Sequence, residues 1–203
     1  MDKRSALKDL WKFLWESDSP LSWIVDLILA FIVVKWIFFP LLSLIFASSL
    51  PMVVVESTSM LHGKDFSERV CGISLLAYDN SPEDYWNVCG GFYEKEGISK
   101  DEFFEFPLSN GFDKGDIIVI HGSKDYEVGD IIVFDSRVQA TPIIHRIIKI
   151  EDGNYSTKGD HNPDQLPYEK EIEKSQVIGK AVGKIPYLGW LKLFFVEMFH
   201  AVF

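Results

Sequence analysis

At 203 residues, with 30 acidic against 20 basic side chains and a net charge of −10, the chain has no basic surplus from which to build a nucleic-acid-binding face. A composition 47% hydrophobic and 25% charged fits a globular domain tethered to a membrane, rather than a soluble enzyme or a multi-span transporter. Two cysteines, Cys71 and Cys89, with no CxxC and no clustered histidines, argue against a structural zinc site.

In residues 1–20, Leu7, Leu10, Trp11, Leu14 and Trp15 recur at helical spacing. They predict either an amphipathic helix on the inner membrane surface or a plain helical tail. Leu27 to Ala47 is an apolar run of 21 residues, which as a helix covers roughly 30 Å, the hydrocarbon thickness of a bilayer. The anchor is drawn as residues 21–48. Lys35 costs about 3 kcal/mol at mid-span unless it snorkels or finds a partner, and Pro40 predicts a kink. A cleaved signal peptide ending near Ala47-Ser48-Ser49 is the rival reading, but the run exceeds the usual apolar region of such peptides, so an uncleaved anchor is preferred. Lys3, Arg4, Lys8 and Lys12 precede the run and nothing basic follows it until Lys64, so the positive-inside rule puts the N-terminus in the cytoplasm. The rest lies outside, where an oxidising compartment permits a disulfide between Cys71 and Cys89.

Residues 49–190 read as a largely antiparallel β domain. Met52–Val55 is a short β-branched strand, and Gly115-Asp-Ile-Ile-Val119 recurs as Gly129-Asp-Ile-Ile-Val133, read as two neighbouring strands with similar turns. Ile143–Ile150, Tyr155–Lys158 and Val177–Ile185 continue the series. Between them, residues 62–112 break the pattern and read as an inserted subdomain. Tyr78–Pro82 and Cys89-Gly90-Gly91 are turn material, and Ser99-Lys-Asp-Glu102 is a capping box opening a short helix. The aromatic side chains here form a small core or an apolar contact surface, the core being preferred. From His62 to Asp116, twelve acidic residues face five basic ones, a solvated surface in the simplest reading. The tail, residues 191–203, carries Lys192, Glu197 and His200, which favours an interfacial helix over a short second span.

Ser59 follows the anchor by about a dozen residues, so a nucleophile there acts close to the membrane. Alone, Ser57-Thr58-Ser59-Met60 is weak evidence, a serine-rich turn being the commoner explanation. A base must come from His62, His121, His145, His161 or His200, and His145 is notable for standing beside Arg146 inside an apolar strand, where a buried structural histidine is the simpler reading.

Taken in order, the apolar anchor, Ser57-x-Ser59-Met60, Lys114-Gly115-Asp116, Val128–Phe134, His145-Arg146, Lys158-Gly159-Asp160-His161-Asn162 and Gly179–Trp190 closely resemble type I signal peptidases. His145-Arg146 resembles the archaeal and endoplasmic-reticulum branch, in which histidine stands where bacterial enzymes use lysine. The resemblance covers roughly residues 21–60 and 110–190. It implies a mainly β catalytic domain behind a transmembrane helix, acting as a serine endopeptidase on signal peptides. Ser59 matches the nucleophile and His145 the general base. Ser57 matches the hydroxyl that assists the Ser59 amide at the oxyanion, and Asp160 the acid that orients the imidazole. An unperturbed imidazole pKa of ~6.5 suits a base at neutral pH. A dyad of Ser59 with Lys149 is a minor alternative, since Lys149 lies roughly 13 Å along the strand from His145.

Three departures stand out. Thr58 and His62 replace the family's glycine and proline. The second acid that relatives place after Lys-Gly-Asp has no matching position, so Asp164 is the reserve for orienting His145. The insertion is much longer than the connection typical of this branch. The resemblance implies no metal or organic cofactor, signal peptides of exported preproteins and the bilayer as partners, no nucleic acid, and association with the secretion translocon. Substrate would bind as an extended strand, with Met52 and Val53 as candidate cleft walls or ordinary core. Two alternatives stay open: a membrane-anchored surface protein whose inserted lobe binds a partner, and a related membrane serine protease with other substrates.

Overall fold

The computed structural model describes residues 11–13, 15–17, 19–75 and 77–202. The chain divides into two compact units, residues 1–45 and 46–203. Leu7, Leu10 and Leu14 of the expected amphipathic segment lie outside the described residues; Trp11 and Trp15 are exposed, with ring centroids 5.6 Å apart.

In the first unit, Ser19 caps helix α1 (Pro20–Val33) by accepting the Ser22 amide, and Pro20 occupies the first turn, where its missing N–H costs nothing. A π-helical turn (Val34–Phe38) follows, then α2 (Phe39–Ile45). The widened turn is visible in the Phe39 amide, which reaches back five residues to the Val34 carbonyl, one residue before Pro40 interrupts the ladder. Lys35, inside that turn, lies 5.6 Å from the Phe31 ring centroid and 5.7 Å from Trp36. The stretch Pro20–Ile45, 26 residues of mean hydropathy 2.5, is long and apolar enough to cross a membrane.

The second unit is built on a curled six-stranded antiparallel sheet of order β1-β4-β8-β5-β6-β7. Its strands are β1 (Met52–Val54), β4 (Ile117–His121), β5 (Ile131–Phe134), β6 (Ile143–Glu151), β7 (Asn154–Lys158) and β8 (Val177–Ile185). β-Branched and aromatic residues fill them: Ile118, Ile120, Ile131 and Val133 form one apolar cluster with Met60 and Phe112, while Ile132, Phe134, Ile143 and Ile147 form another with Tyr155 and Ile172. The two Gly-Asp-Ile-Ile-Val segments are not neighbours, because β8 lies between β4 and β5 and pairs with both. Their turns do match. Gly115 and Gly129 both have positive φ, and Asp116 and Asp130 accept the amides of Asp113 and Glu127 in the same way.

Residues 62–112 contain the hairpin β2 (Arg69–Val70) and β3 (Ile73–Ser74), then α3 (Pro82–Lys95) and α4 (Lys100–Glu105). Ser81 and Ser99 cap the two helices. Cys89-Gly90-Gly91, expected as a turn, lies inside α3. Gly90 is there for packing: a Cβ on it would sit 2.5 Å from the Trp86 ring. The aromatic residues form a core, with Tyr85, Trp86, Tyr93 and Phe103 buried together with Val70 and Ile148, and Cys71 is disulfide-bonded to Cys89. After β8, α5 (Trp190–Val202) buries Leu193 and exposes Leu191, Phe194, Val196 and Met198.

Candidate active site

Sheet curl brings together the segments that leave the two edge strands. After β1, Leu61 N–H donates to the Thr58 carbonyl at 3.0 Å, closing a turn that displays Ser59, while Met60 is buried in the core. After β7, the His161 amide donates to the Ser59 carbonyl at 2.8 Å, and His161 Nδ1 pairs with the Leu61 carbonyl at 2.9 Å. Ser59 Oγ and Ser57 Oγ are 3.1 Å apart.

His145, the third residue of β6, is buried at 4% exposure and converges on the same place. Gly159 marks the convergence. A Cβ on it would stand 2.7 Å from His145 Nε2, 2.7 Å from Asn162 Nδ2 and 2.8 Å from the Ser59 carbonyl oxygen. Any side chain here would force the imidazole and the serine turn apart. Glycine is therefore required by close approach at this position.

The carboxylate against His145 Nδ1 is Glu169, not Asp160 or Asp164. Glu169 is fully buried in a short 3-10 turn, Pro167–Glu169, and its second oxygen accepts the Leu166 amide at 2.5 Å. One carboxylate oxygen is thus fixed by the backbone and the other by the imidazole. Asp164 is exposed and accepts the neighbouring Gln165 amide.

Asp160 has a different set of partners. Fully buried, it takes Arg146 Nε on Oδ1 at 3.0 Å, Arg146 Nη2 on Oδ2 at 2.7 Å, Tyr93 Oη at 2.9 Å and His62 Nε2 at 3.0 Å. The remaining Arg146 protons go to the carbonyls of Pro107, Gly129 and Leu108, and its guanidinium lies 5.1 Å from the Phe103 centroid. Burial by itself would raise the Asp160 carboxyl; Arg146 and His62 overcome it and hold it well below the ordinary range. Burial lowers the His62 imidazole, an effect only partly offset by Asp160. Adjacent His145 and Arg146 thus leave β6 on opposite faces, one toward Glu169 and one toward Asp160.

Two lysines of β6 and β7 hold other partners. Lys149 is half-exposed and paired with Glu151 at 2.7 Å. Lys158 is buried, its ammonium donating to the Gly159 carbonyl at 3.0 Å between the rings of Phe92 and Tyr93, and burial lowers it to about 8.

Geometrically, the site offers a hydroxyl beside a second hydroxyl, a buried imidazole whose Nε2 faces the serine turn, and a buried carboxylate on the opposite ring nitrogen. Sequence reasoning missed Glu169. Its only local signal is its place as the acceptor of the Leu166 amide, and nothing in the sequence links that turn to a strand 24 residues earlier.

No protein-family model matches the chain. It is similar to the signal peptidase complex catalytic subunit SEC11C of Homo sapiens, 33% identical over 98 residues, covering 42% of this chain and 51% of that protein. It is also similar to SEC11 of Colletotrichum graminicola, 29% identical over 102 residues (44% and 59%), and to sec11 of Dictyostelium discoideum, 33% identical over 93 residues (40% and 52%). The chain spans about half the length of the curated relatives it matches. By sequence, then, its homologues are catalytic subunits of the signal peptidase complex, at modest identity over about 40% of the chain.

Proposed function

We propose that this protein is a membrane-anchored serine endopeptidase that removes signal peptides from exported preproteins. The observation that carries the reading is the convergence of His145 Nε2 and Ser59 at Gly159, with Glu169 on the far side of the same imidazole. Ser59 Oγ attacks the scissile carbonyl as His145 Nε2 takes its proton. The tetrahedral oxyanion is held by the Ser59 amide and the Ser57 hydroxyl, and the proton returns to the leaving amine. Water then repeats the sequence on the acyl-enzyme. Glu169 keeps the Nδ1 proton in place and stabilises the imidazolium.

β1 is an edge strand with β4 as its partner, so an extended substrate adds along its open side toward Ser59, with Met52 and Val53 as its neighbours. The helix Pro20–Ile45 serves as a single-pass anchor, with the N-terminus cytoplasmic and the sheet outside or in the lumen, since the basic residues precede it. The exposed apolar side chains of α5 rest on the bilayer interface. Preproteins reach the site at the secretion translocon.

The reading is tested by covalent labelling. A serine-directed phosphonylating probe is expected to add its mass to the peptide carrying Ser59 in the wild type. Stoichiometric labelling elsewhere with Ser59 unmodified would contradict it.

A further inference from the structure

Several contacts from residues 62–112 gather on one turn beside the site. Tyr93 Oη donates to Asp160 Oδ1 and Tyr85 Oη to the Asp160 carbonyl, each at 2.9 Å. Cys71 Sγ lies 3.4 Å from that same carbonyl; a disulfide sulfur has no proton to give, so this is a packing contact. The His62 ring stacks on Tyr85 with centroids 3.7 Å apart while its Nε2 holds Asp160. From its other side the turn grips the serine: the Asp160 amide points at Met60 Sδ at 3.3 Å, and the His161 amide holds the Ser59 carbonyl. The neck of the segment closes nearby, where the Phe112 amide donates to the Met60 carbonyl at 3.0 Å.

We infer that the disulfide-bonded lobe is a positioning element of the peptidase site. Through Tyr85, Tyr93 and Cys71 it fixes the Lys158–His161 turn, and that turn sets the Ser59 carbonyl and the His145 imidazole on either side of Gly159. The inference rests on the roles proposed above for Ser59 and His145. These lobe residues act through Asp160. Position matters because a displacement of about 1 Å costs about 100-fold in rate.

The lobe also makes the site sensitive to reduction. A cleft of about 470 Å³ is lined by Cys71 and Cys89, with Val88, Phe92 and Pro163 around them, so a small dithiol has a way in. The dithiol supplies two electrons and two protons, the Cys71–Cys89 bond becomes two thiols, and the reductant closes to a cyclic disulfide. The cross-link between the β2–β3 hairpin and α3 is then gone, and Cys71 no longer presses on Asp160 by constraint.

The deciding experiment is Tyr93→Phe in the full-length protein in detergent, which keeps the ring and the disulfide and removes one hydroxyl. Expected is a fall of about 10-fold or more in kcat for preprotein cleavage with KM within about two-fold, since a positioning loss acts on the reaction and not on uptake of substrate. Treatment with dithiothreitol is expected to lower kcat in the same sense, with recovery on reoxidation. Unchanged kcat in Tyr93→Phe would overturn the positioning role whatever the cysteines do, and full kcat in the reduced enzyme would overturn the disulfide's part in it. Turnover by wild type above a Ser59→Ala blank separates these outcomes from failure of the peptidase reading, which would remove the inference with it.

Discussion

Glu169→Gln is expected to lower kcat by about 10³- to 10⁴-fold with little change in KM, measured on preprotein cleavage in detergent. Glutamine is nearly isosteric, so the 3-10 turn and its bond to the Leu166 amide persist. Two things are lost. The amide can present its NH₂ to Nδ1, which selects the tautomer with the proton on Nε2, the nitrogen that accepts from Ser59 in the proposed mechanism. The negative charge that stabilises the imidazolium also disappears, in a site where both partners are buried and solvent cannot replace it. The equivalent change at Asp164, which is exposed and faces its own backbone, is expected to leave kcat within about two-fold.

Asp160→Asn is expected to act mainly on stability, by about 3–5 kcal/mol, because it strips the counter-charge from a fully buried Arg146. Against the ~5–15 kcal/mol that holds a typical domain together, this is a large share. Thermal melting would register it, and a melting temperature unchanged from wild type would contradict it. The pH dependence follows from the depressed carboxyl. Asp160 contributes its full stabilisation above the ordinary carboxylate pKa of about 4, and loses it only as pH falls toward the lower folded-state value. Between pH 5 and pH 8 the wild type therefore draws an undiminished contribution from this pair. The advantage of wild type over Asp160→Asn should narrow only in strong acid.

The contrast between these two carboxylates marks how far the sequence is legible. Strands betray themselves through β-branched runs and Gly-Asp turns, and β4 to β8 fall where those signals put them. Their neighbours in space do not follow from similarity: the repeated Gly-Asp-Ile-Ile-Val reports a shared turn and not a shared ladder. The capping serine at Ser99 is a local signal and is readable, whereas Cys89-Gly90-Gly91 misleads because the glycine serves the Trp86 ring and not a bend. His145 and Ser59 can be paired through the order of motifs. The partner of His145 cannot, because an orienting acid needs only the right position in space, and an intervening turn of different length delivers Glu169 where a carboxylate nearer Asp160 was expected. Asp160 itself faces Arg146 because successive residues of β6 leave the sheet on opposite sides, so Arg146 points away from the face that carries His145.

The central claim is that Ser59 and His145 form a peptidase site, and the most direct measurement is cleavage of a preprotein in detergent by wild type and Ser59→Ala. Wild type is expected to release the mature chain with a new N-terminus at the signal-peptide junction, and Ser59→Ala to release none; equal cleavage by the two proteins would contradict the account.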